Sequence, residues 1–236
     1  MFPLKDNIPS ETIPIVNYLL IAICTLVFLS EISQGSAGLE QFIDTYGLIP
    51  SDLLHSMSMP EVSTVFSSMF LHAGWDHLLG NMWFLYIFGD NVEDRFGHIG
   101  YLFFYLFCGI CAAATQVMIN ADSTIAMIGA SGAISGVLGY YFVTYPQAQV
   151  LTLVPLGGFS RVTEVPAIIF LGIWFALQFF TGVTSLAVAS PHEAGGVAFW
   201  AHVGGFVAGV VLAFILPKQK QIGDYSNYNN DYNEWR

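Results

Sequence analysis

The sequence predicts an all-α membrane protein with six transmembrane helices, because its composition and its charge pattern both depart from those of soluble domains. Of its 236 residues, 55% are hydrophobic and 10% are charged, whereas soluble domains carry about 25% charged residues. The mean hydropathy is +0.61. The net charge of −11 argues against nucleic acid as a partner, since nucleic acid requires a basic surface. We therefore expect membrane lipid to surround the apolar helices.

Six apolar segments are candidates for these helices. They run over residues 13–30, 75–90, 98–119, 131–146, 165–183 and 197–216. The third, fifth and sixth segments reach the ~20 residues that a span needs. The fourth is short because Pro146 ends it, so this helix must begin below one membrane surface. The first segment is expected to be a retained helix, since it contains Pro14 and no small-residue cleavage site follows it.

The positions of the basic residues predict the orientation in the membrane. The six of them are Lys5, Arg95, Arg161, Lys218, Lys220 and Arg236. With six spans and a cytoplasmic N-terminus, all six lie on the cytoplasmic side, as the positive-inside rule requires. Both termini are then cytoplasmic. We expect three parts in the chain: a short N-terminus at 1–12, a six-helix domain at 13–216 and a flexible polar tail at 217–236.

Polar side chains stand at the starts of three of the predicted helices. His77 opens the second helix, Ser131 opens the fourth, and His202 lies in the first turns of the sixth. In the predicted topology all three helices begin at the extracytoplasmic face, so the three side chains share one leaflet. His77 and Asn81 are four residues apart and therefore occupy one helix face. Because polar groups are costly in lipid, we interpret this convergence as a functional site.

Small residues in two of these helices predict that the helices pack closely. The fourth helix carries Gly132 and Gly136, and the sixth carries Gly205 and Gly209. Each pair has the small-xxx-small spacing that lets two helix backbones approach each other. Such packing would bring the serine within hydrogen-bond reach of the histidine.

These residue types indicate acyl transfer to a serine. A serine hydroxyl is a weak nucleophile that needs an adjacent base, and the neutral imidazole of His202 can be that base. The oxyanion needs donors, which the Ser131 backbone N–H, the Asn81 amide and the His77 imidazole can supply. Glu193 is near His202 in sequence, but we interpret it as a solvated loop carboxylate. A Ser–His dyad is therefore preferred to a triad.

Three motifs and an accessory segment resemble those of a known family. The motifs are His77-x-x-x-Asn81, Gly129-Ala130-Ser131-Gly132 and Ala201-His202-x-Gly204-Gly205-Phe206-x-x-Gly209, and the segment is Gly89-Asp90-Asn91-Val92-Glu93 with Gly97. In this order and on these helices, they resemble the rhomboid family of intramembrane serine proteases. The resemblance extends over about residues 13–216.

The resemblance implies roles for individual residues. Ser131 would be the nucleophile and His202 the general base, while His77 and Asn81 would assist the oxyanion. Independently of the resemblance, we expect the glycines to act mainly in packing, with Gly129 also keeping the approach to the oxyanion open. The family uses no metal and no cofactor, and it cleaves transmembrane helices of other proteins near the extracytoplasmic surface. Transmembrane protein substrates are therefore the expected partners.

The resemblance also implies how substrate reaches the site. Residues 31–74 would form a large first loop, partly embedded in one leaflet, and its apolar stretches alternate with prolines as such a loop would require. The fifth helix, with Trp174, and the loop that follows to Gly196 would form a movable gate and cap. We therefore assign Gly129 and Trp174 to substrate binding.

Two positions depart from the family's pattern. Better-known members often have an aromatic residue four positions after the nucleophile, where this chain has Ser135. What supports the ring of His202 is therefore open at this point. Some members also have a Trp-Arg pair in the first loop, and residues 31–74 contain no Arg.

Other membrane functions fit the sequence less well. A zinc intramembrane protease needs His-Glu-x-x-His, but Gly196 stands where the second His should follow His192-Glu193. An aspartyl protease needs two facing Asp residues, and Asp76 and Asp90 lie at opposite ends of one helix. A small polytopic transporter and a catalytically inactive rhomboid-like binder of membrane helices stay as alternatives. The expected location is a bacterial plasma membrane, with the site toward the extracytoplasmic side.

Overall fold

A computed structural model of the chain describes residues 1–155, 157–186 and 198–216. Its helices are α1 (Ile15–Ser33), α2 (Gly35–Tyr46), α3 (Pro50–Ser56), α4 (Met59–Ser67), α5 (Trp75–Ile119), α6 (Ser131–Thr144), α7 (Ala167–Ser185) and α8 (Phe199–Ile215). Its strands are β1 (Phe2–Asp6), β2 (Gln149–Pro155) and β3 (Ser160–Pro166). The predicted tail at 217–236 and the residues around Glu193 lie outside the described residues.

The apolar helices confirm the prediction of a mostly helical membrane protein. Within the described residues, α1, α5 and α7 are long and apolar enough to cross a membrane, and α8 is apolar but shorter. Each of the six predicted segments corresponds to a helix or to part of one. The predicted segments agree with the observed helices because a long apolar run by itself indicates such a helix.

The predicted second and third helices are the two helical segments of α5, which meet at a kink at Gly97. The only non-helical backbone angles of α5 are at Gly97, with φ 65° and ψ 167°, a conformation that glycine adopts without a steric penalty. Residues 91–96, predicted to lie between the two helices, contain no glycine or proline and extend the first segment up to Gly97. The chain therefore changes direction at a single residue.

A three-stranded antiparallel sheet corrects the prediction of an all-α fold. Its order is β1-β2-β3, with Phe2 opposite Leu153 and Val150 opposite Val165. The side chain of Trp83 in α5 donates a hydrogen bond to the Pro3 carbonyl at 2.7 Å. The N-terminal residues, expected to be a short terminus, are therefore tied to the hairpin between α6 and α7. This pairing joins residues far apart in sequence, so no local pattern predicts it.

Helix α6 lies at the centre of the helical bundle. Every residue of 132–141 is buried, which is typical of a helix that is apolar on all sides and enclosed by others. Rings from three helices pack at its C-terminal half: Phe88 of α5 lies edge-on to Tyr141 at 5.0 Å, and Phe170 of α7 stacks on Phe88 at 6.4 Å. The first residue of this central helix is Ser131.

Candidate active site

Ser131 and His202 are in direct contact. The Nε2 atom of His202, in the first turn of α8, lies 2.7 Å from the Oγ atom of Ser131. This is an ordinary distance for a hydrogen bond from a hydroxyl. The hydroxyl donates to Nε2 when the imidazole proton is on Nδ1. The structure thus brings together the two residues that the sequence analysis assigned to catalysis.

Backbone contact between α6 and α8 produces this distance. A Cβ atom added at Gly205 would lie 2.0 Å from the carbonyl oxygen of Gly132, and one added at Gly209 would lie 1.9 Å from that of Gly136. Real side chains do not fit such gaps, so only glycine permits this approach. The two glycine pairs singled out in the sequence therefore face each other across the helix contact.

Asn81 offers an unused donor close to Ser131. Its side chain is 9% exposed, and its Nδ2 atom is buried without a hydrogen-bond partner among the described residues. A buried polar group without a partner is costly, so a site for an acceptor is expected in front of it. His77 lines the same cavity as Asn81 and Ser131. The predicted oxyanion residues therefore lie together.

Gly129 packs against the back of the His77 ring. Its φ is +119°, and a Cβ atom there would lie 2.7 Å from His77 Nε2 and 3.6 Å from Asn81 Nδ2. Its N–H donates to the Ser68 carbonyl at 2.8 Å, so this N–H is already engaged and is not an oxyanion donor. The glycine makes room for the imidazole, and the hydrogen bond joins the site to the first loop.

A cavity of about 220 Å³ opens beside the serine. Its polar lining is Asp76, His77, Asn81, Ser131, Ser135, Gln178 and His202, and its apolar lining is Gly80, Phe84, Ile134, Leu138 and Trp174. The apolar part can take a side chain of a substrate, while the polar part surrounds the reacting group. Trp174, which the sequence analysis assigned to substrate binding, is part of this wall.

Gln178 is a site residue that the sequence analysis missed. Its Oε1 atom lies 2.7 Å from Nδ1 of His202, and the Trp174 and Phe199 rings lie 6.0 Å and 6.5 Å from the imidazole. Ser135 instead donates to the Ser131 carbonyl at 2.6 Å, so its hydroxyl supports the helix. The available signal was that Gln178 is the only amide side chain in the apolar helix α7.

His72 adds a second contact that the sequence did not indicate. Its buried ring lies edge-on to that of His77, with centroids 5.1 Å apart, and its backbone N–H donates to the Glu31 carboxylate of α1 at 3.3 Å. These contacts restrict the orientation of His77. In the part of the chain that the structure describes, no group of three or more His, Cys, Asp or Glu side chains could hold a metal ion.

Comparisons with known proteins find relatives over most of the chain. Rhomboid-like protein 11, chloroplastic, of Arabidopsis thaliana is 29% identical over 184 residues, which are 76% of this chain and 60% of that protein. RHOMBOID-like protein 1 of the same plant is 28% identical over 72% of this chain and 38% of that protein. Rhomboid protease GlpG of Haemophilus influenzae is 25% identical over 87% of this chain and 93% of that protein.

The extent of these matches differs between the relatives. The chain spans less than two thirds of the length of the two plant proteins and nearly all of the bacterial one. A family model described as the Rhomboid domain matches residues 59–219. This match includes α5, α6, α7 and α8, which carry the serine, the histidines and the asparagine described above. The chain therefore belongs to the rhomboid family.

Proposed function

We propose that this protein is an intramembrane serine protease that hydrolyses a peptide bond in or near a transmembrane helix of its substrate. The single observation that carries the proposal is the 2.7 Å contact between Ser131 Oγ and His202 Nε2, two side chains 71 residues apart. A hydroxyl in contact with a neutral imidazole is the arrangement that activates a serine. The family membership supports the same reaction, since the relatives include proteins named rhomboid protease GlpG and rhomboid protease GluP.

The reaction would follow the two steps of serine acyl transfer. As Ser131 Oγ attacks the substrate carbonyl carbon, His202 Nε2 takes the hydroxyl proton and then transfers it to the leaving amine. A water molecule, deprotonated by the same nitrogen, hydrolyses the acyl-enzyme. The Asn81 amide and the Ser131 backbone N–H would stabilise the oxyanion, with His77 beside them. The buried, unpartnered Nδ2 atom of Asn81 supports this role.

The proposed membrane arrangement has six spans, a helical domain at 13–216, cytoplasmic termini and the site toward the extracytoplasmic side. The starts of α5, α6 and α8 carry the site residues, which supports a common depth in one leaflet. The first loop has large exposed apolar side chains, which favours partial embedding in lipid: Leu54, Met57, Met59, Val62 and Phe66. Relatives have chloroplast, mitochondrial and bacterial names, so the bacterial plasma membrane stays a prediction.

Substrate would meet the serine from the cavity side. Trp174 lines the cavity on α7, and Gly129 maintains the position of His77 at its edge. We propose that both residues act in substrate binding, the first by direct contact and the second through the imidazole. Because the peptide bond must be reached by Ser131, a transmembrane helix would have to be extended locally at the cleaved bond.

The test is fluorophosphonate labelling of the purified protein in lipid. The wild-type serine should displace fluoride and become phosphonylated, and both Ser131→Ala and His202→Ala should be unlabelled while they stay folded. Labelling of Ser131→Ala at the wild-type rate would assign the reactive serine elsewhere. A folded wild type that does not react would favour an inactive member of the family that binds membrane helices.

A further inference from the structure

We propose that Gln178 of α7 is the positioning residue for His202, and that it holds the imidazole in the tautomer that a general base requires. The proposal rests on the proposed function and goes beyond it by adding a third side chain to the dyad. Its basis is a continuous set of contacts: Gln178 Oε1 to His202 Nδ1 at 2.7 Å, and His202 Nε2 to Ser131 Oγ at 2.7 Å.

The chemistry of the two imidazole nitrogens explains why this contact matters. A neutral imidazole carries one N–H donor and one acceptor nitrogen. The structure has the amide oxygen of Gln178, which can only accept, 2.7 Å from Nδ1, and in this orientation of the amide the contact requires the proton on Nδ1. The Nε2 atom is then the acceptor and can take the proton of the Ser131 hydroxyl. An imidazole with its proton on Nε2 would donate to the serine and could not act as its base.

Among the residues that the structure describes, the other neighbours of His202 offer no acceptor to Nδ1. The Trp174 and Phe199 rings contact the imidazole and restrict its plane, but they offer no acceptor to Nδ1. Ser135 is engaged with the Ser131 carbonyl. The described ionisable groups that share the cavity are Asp76 and His77 of α5, while the hydrogen bonds of His202 go to Gln178 and Ser131. Within the described part of the chain, Gln178 is thus the residue that contacts Nδ1.

The apolar surroundings of α7 explain why an amide, and not a carboxylate, contacts His202. In soluble serine proteases a carboxylate accepts a hydrogen bond from Nδ1–H and also stabilises the imidazolium. A carboxylate in an apolar helix such as α7 is expensive, since a charge within the bilayer requires desolvation. A neutral amide orients the ring without a buried charge. Gln178 would therefore supply the orientation and the tautomer, but little electrostatic stabilisation.

The experiment combines a rate with a direct readout of the tautomer. Fluorophosphonate labelling rates are measured for the wild type, Gln178→Leu, Gln178→Met and Gln178→Glu in lipid. Thr181→Val is the matched control, because Thr181 is exposed on the same helix and its hydroxyl donates to the Leu177 carbonyl. Nitrogen-15 NMR of labelled histidine reports which ring nitrogen of His202 carries the proton, and its signal is assigned by its loss in His202→Ala.

The expected result separates positioning from packing. Gln178→Leu and Gln178→Met should lower the labelling rate about 10²-fold, the lower range for loss of general-base catalysis, without a change in melting temperature. Both should lose the Nδ1–H form as the sole tautomer. Gln178→Glu should retain that tautomer, recover most of the rate and move the acid limb of the pH–rate profile to higher pH, because a carboxylate stabilises the imidazolium. Thr181→Val should match the wild type.

Two results would overturn the proposal. One is a Gln178→Leu or Gln178→Met protein that labels at the wild-type rate, and the other is a Gln178→Leu or Gln178→Met protein in which His202 stays entirely in the Nδ1–H tautomer. An unreactive wild type contradicts the proposed function instead. In that case the NMR comparison still decides whether Gln178 controls the tautomer, so the two failures are distinguishable.

Discussion

At the scale of single residues, the donors and acceptors of the site differ in whether they already have a hydrogen-bond partner. The Ser131 hydroxyl and the His202 ring satisfy each other, and Gln178 satisfies the remaining ring nitrogen. Asn81 is the exception, since its amide nitrogen is buried and unpartnered in the described part of the chain. A donor held without an acceptor in the resting state is available when an oxyanion forms, which is how preorganised stabilisation lowers a barrier.

Asn81→Ala should therefore lower kcat about 10²-fold, with little change in KM, because the lost hydrogen bond forms mainly in the transition state. The measurement is steady-state cleavage of a transmembrane reporter substrate in lipid vesicles. Asn81→Asp is the matched control for shape, and it should be slower still because a carboxylate repels the oxyanion. Equal kcat values for the wild type and Asn81→Ala would remove Asn81 from the oxyanion site.

Sequence reasoning at this scale named Ser131, His202, Asn81 and His77 because each lies in a motif near a helix start. It did not name Gln178, since nothing local distinguishes an amide that contacts a histidine from one that packs in a helix. Its partner lies 24 residues away along the chain. The open question of what supports His202 in the absence of an aromatic residue was thus answered by a contact on another helix.

At the scale of elements, the contact between α6 and α8 determines whether the site exists. The carbonyl oxygens of Gly132 and Gly136 occupy the space where side chains at Gly205 and Gly209 would lie. The spacing of these glycines was visible in the sequence, because a repeat of four follows the turn of a helix. Which faces meet was decided by the assembled bundle.

Gly209→Val should force these helices apart, because its Cβ would stand 1.9 Å from the Gly136 carbonyl oxygen. We expect the free energy of unfolding to fall by about 1–3 kcal/mol, as for other overpacked contacts. Serine labelling should be lost as well. Melting temperature in detergent and fluorophosphonate labelling check both effects.

Gly172→Ala in α7 is the control for the glycine prediction. A Cβ there would meet only the Phe142 ring, at an ordinary 3.7 Å, so its melting temperature should be unchanged or slightly higher, since alanine is a better helix former. If the Gly209→Val protein were as stable and as reactive as Gly172→Ala, the packing of α6 against α8 would not depend on backbone contact.

At the scale of the whole molecule, the N-terminal strand joins parts of the chain that are remote in sequence. β1 pairs with β2, Trp83 of α5 donates to Pro3, and the Tyr141 hydroxyl of α6 donates to the Asp6 carboxylate. Burial raises the pKa of Asp6 from its ordinary 3.8 to about 7, against the opposing effect of the Tyr141 hydrogen bond and with a further increase from Asp90. The strand is therefore attached through a carboxyl group that titrates near neutrality.

The stability of the protein should fall as the pH rises between about 4 and 7, because the folded state binds a proton that the unfolded state has lost. The slope from this group is at most about 1.4 kcal/mol per pH unit. Asp6→Asn removes the proton exchange, so the variant should lose this part of the pH dependence. Melting temperatures of both proteins across this range check the prediction, and parallel curves would contradict it.

The sequence alone determined the membrane class, the positions of the apolar helices and the motifs that carry the serine, histidines and asparagine. These depend on local properties: the length of an apolar run, the four-residue repeat of a helix face and the positions of a few charges. Only the tertiary structure decided the sheet built on β1, the exact residue, Gly97, at which the two helical segments of α5 meet, and the contact of Gln178 with His202. Each of these depends on packing between distant residues or on one backbone conformation, which local patterns do not encode.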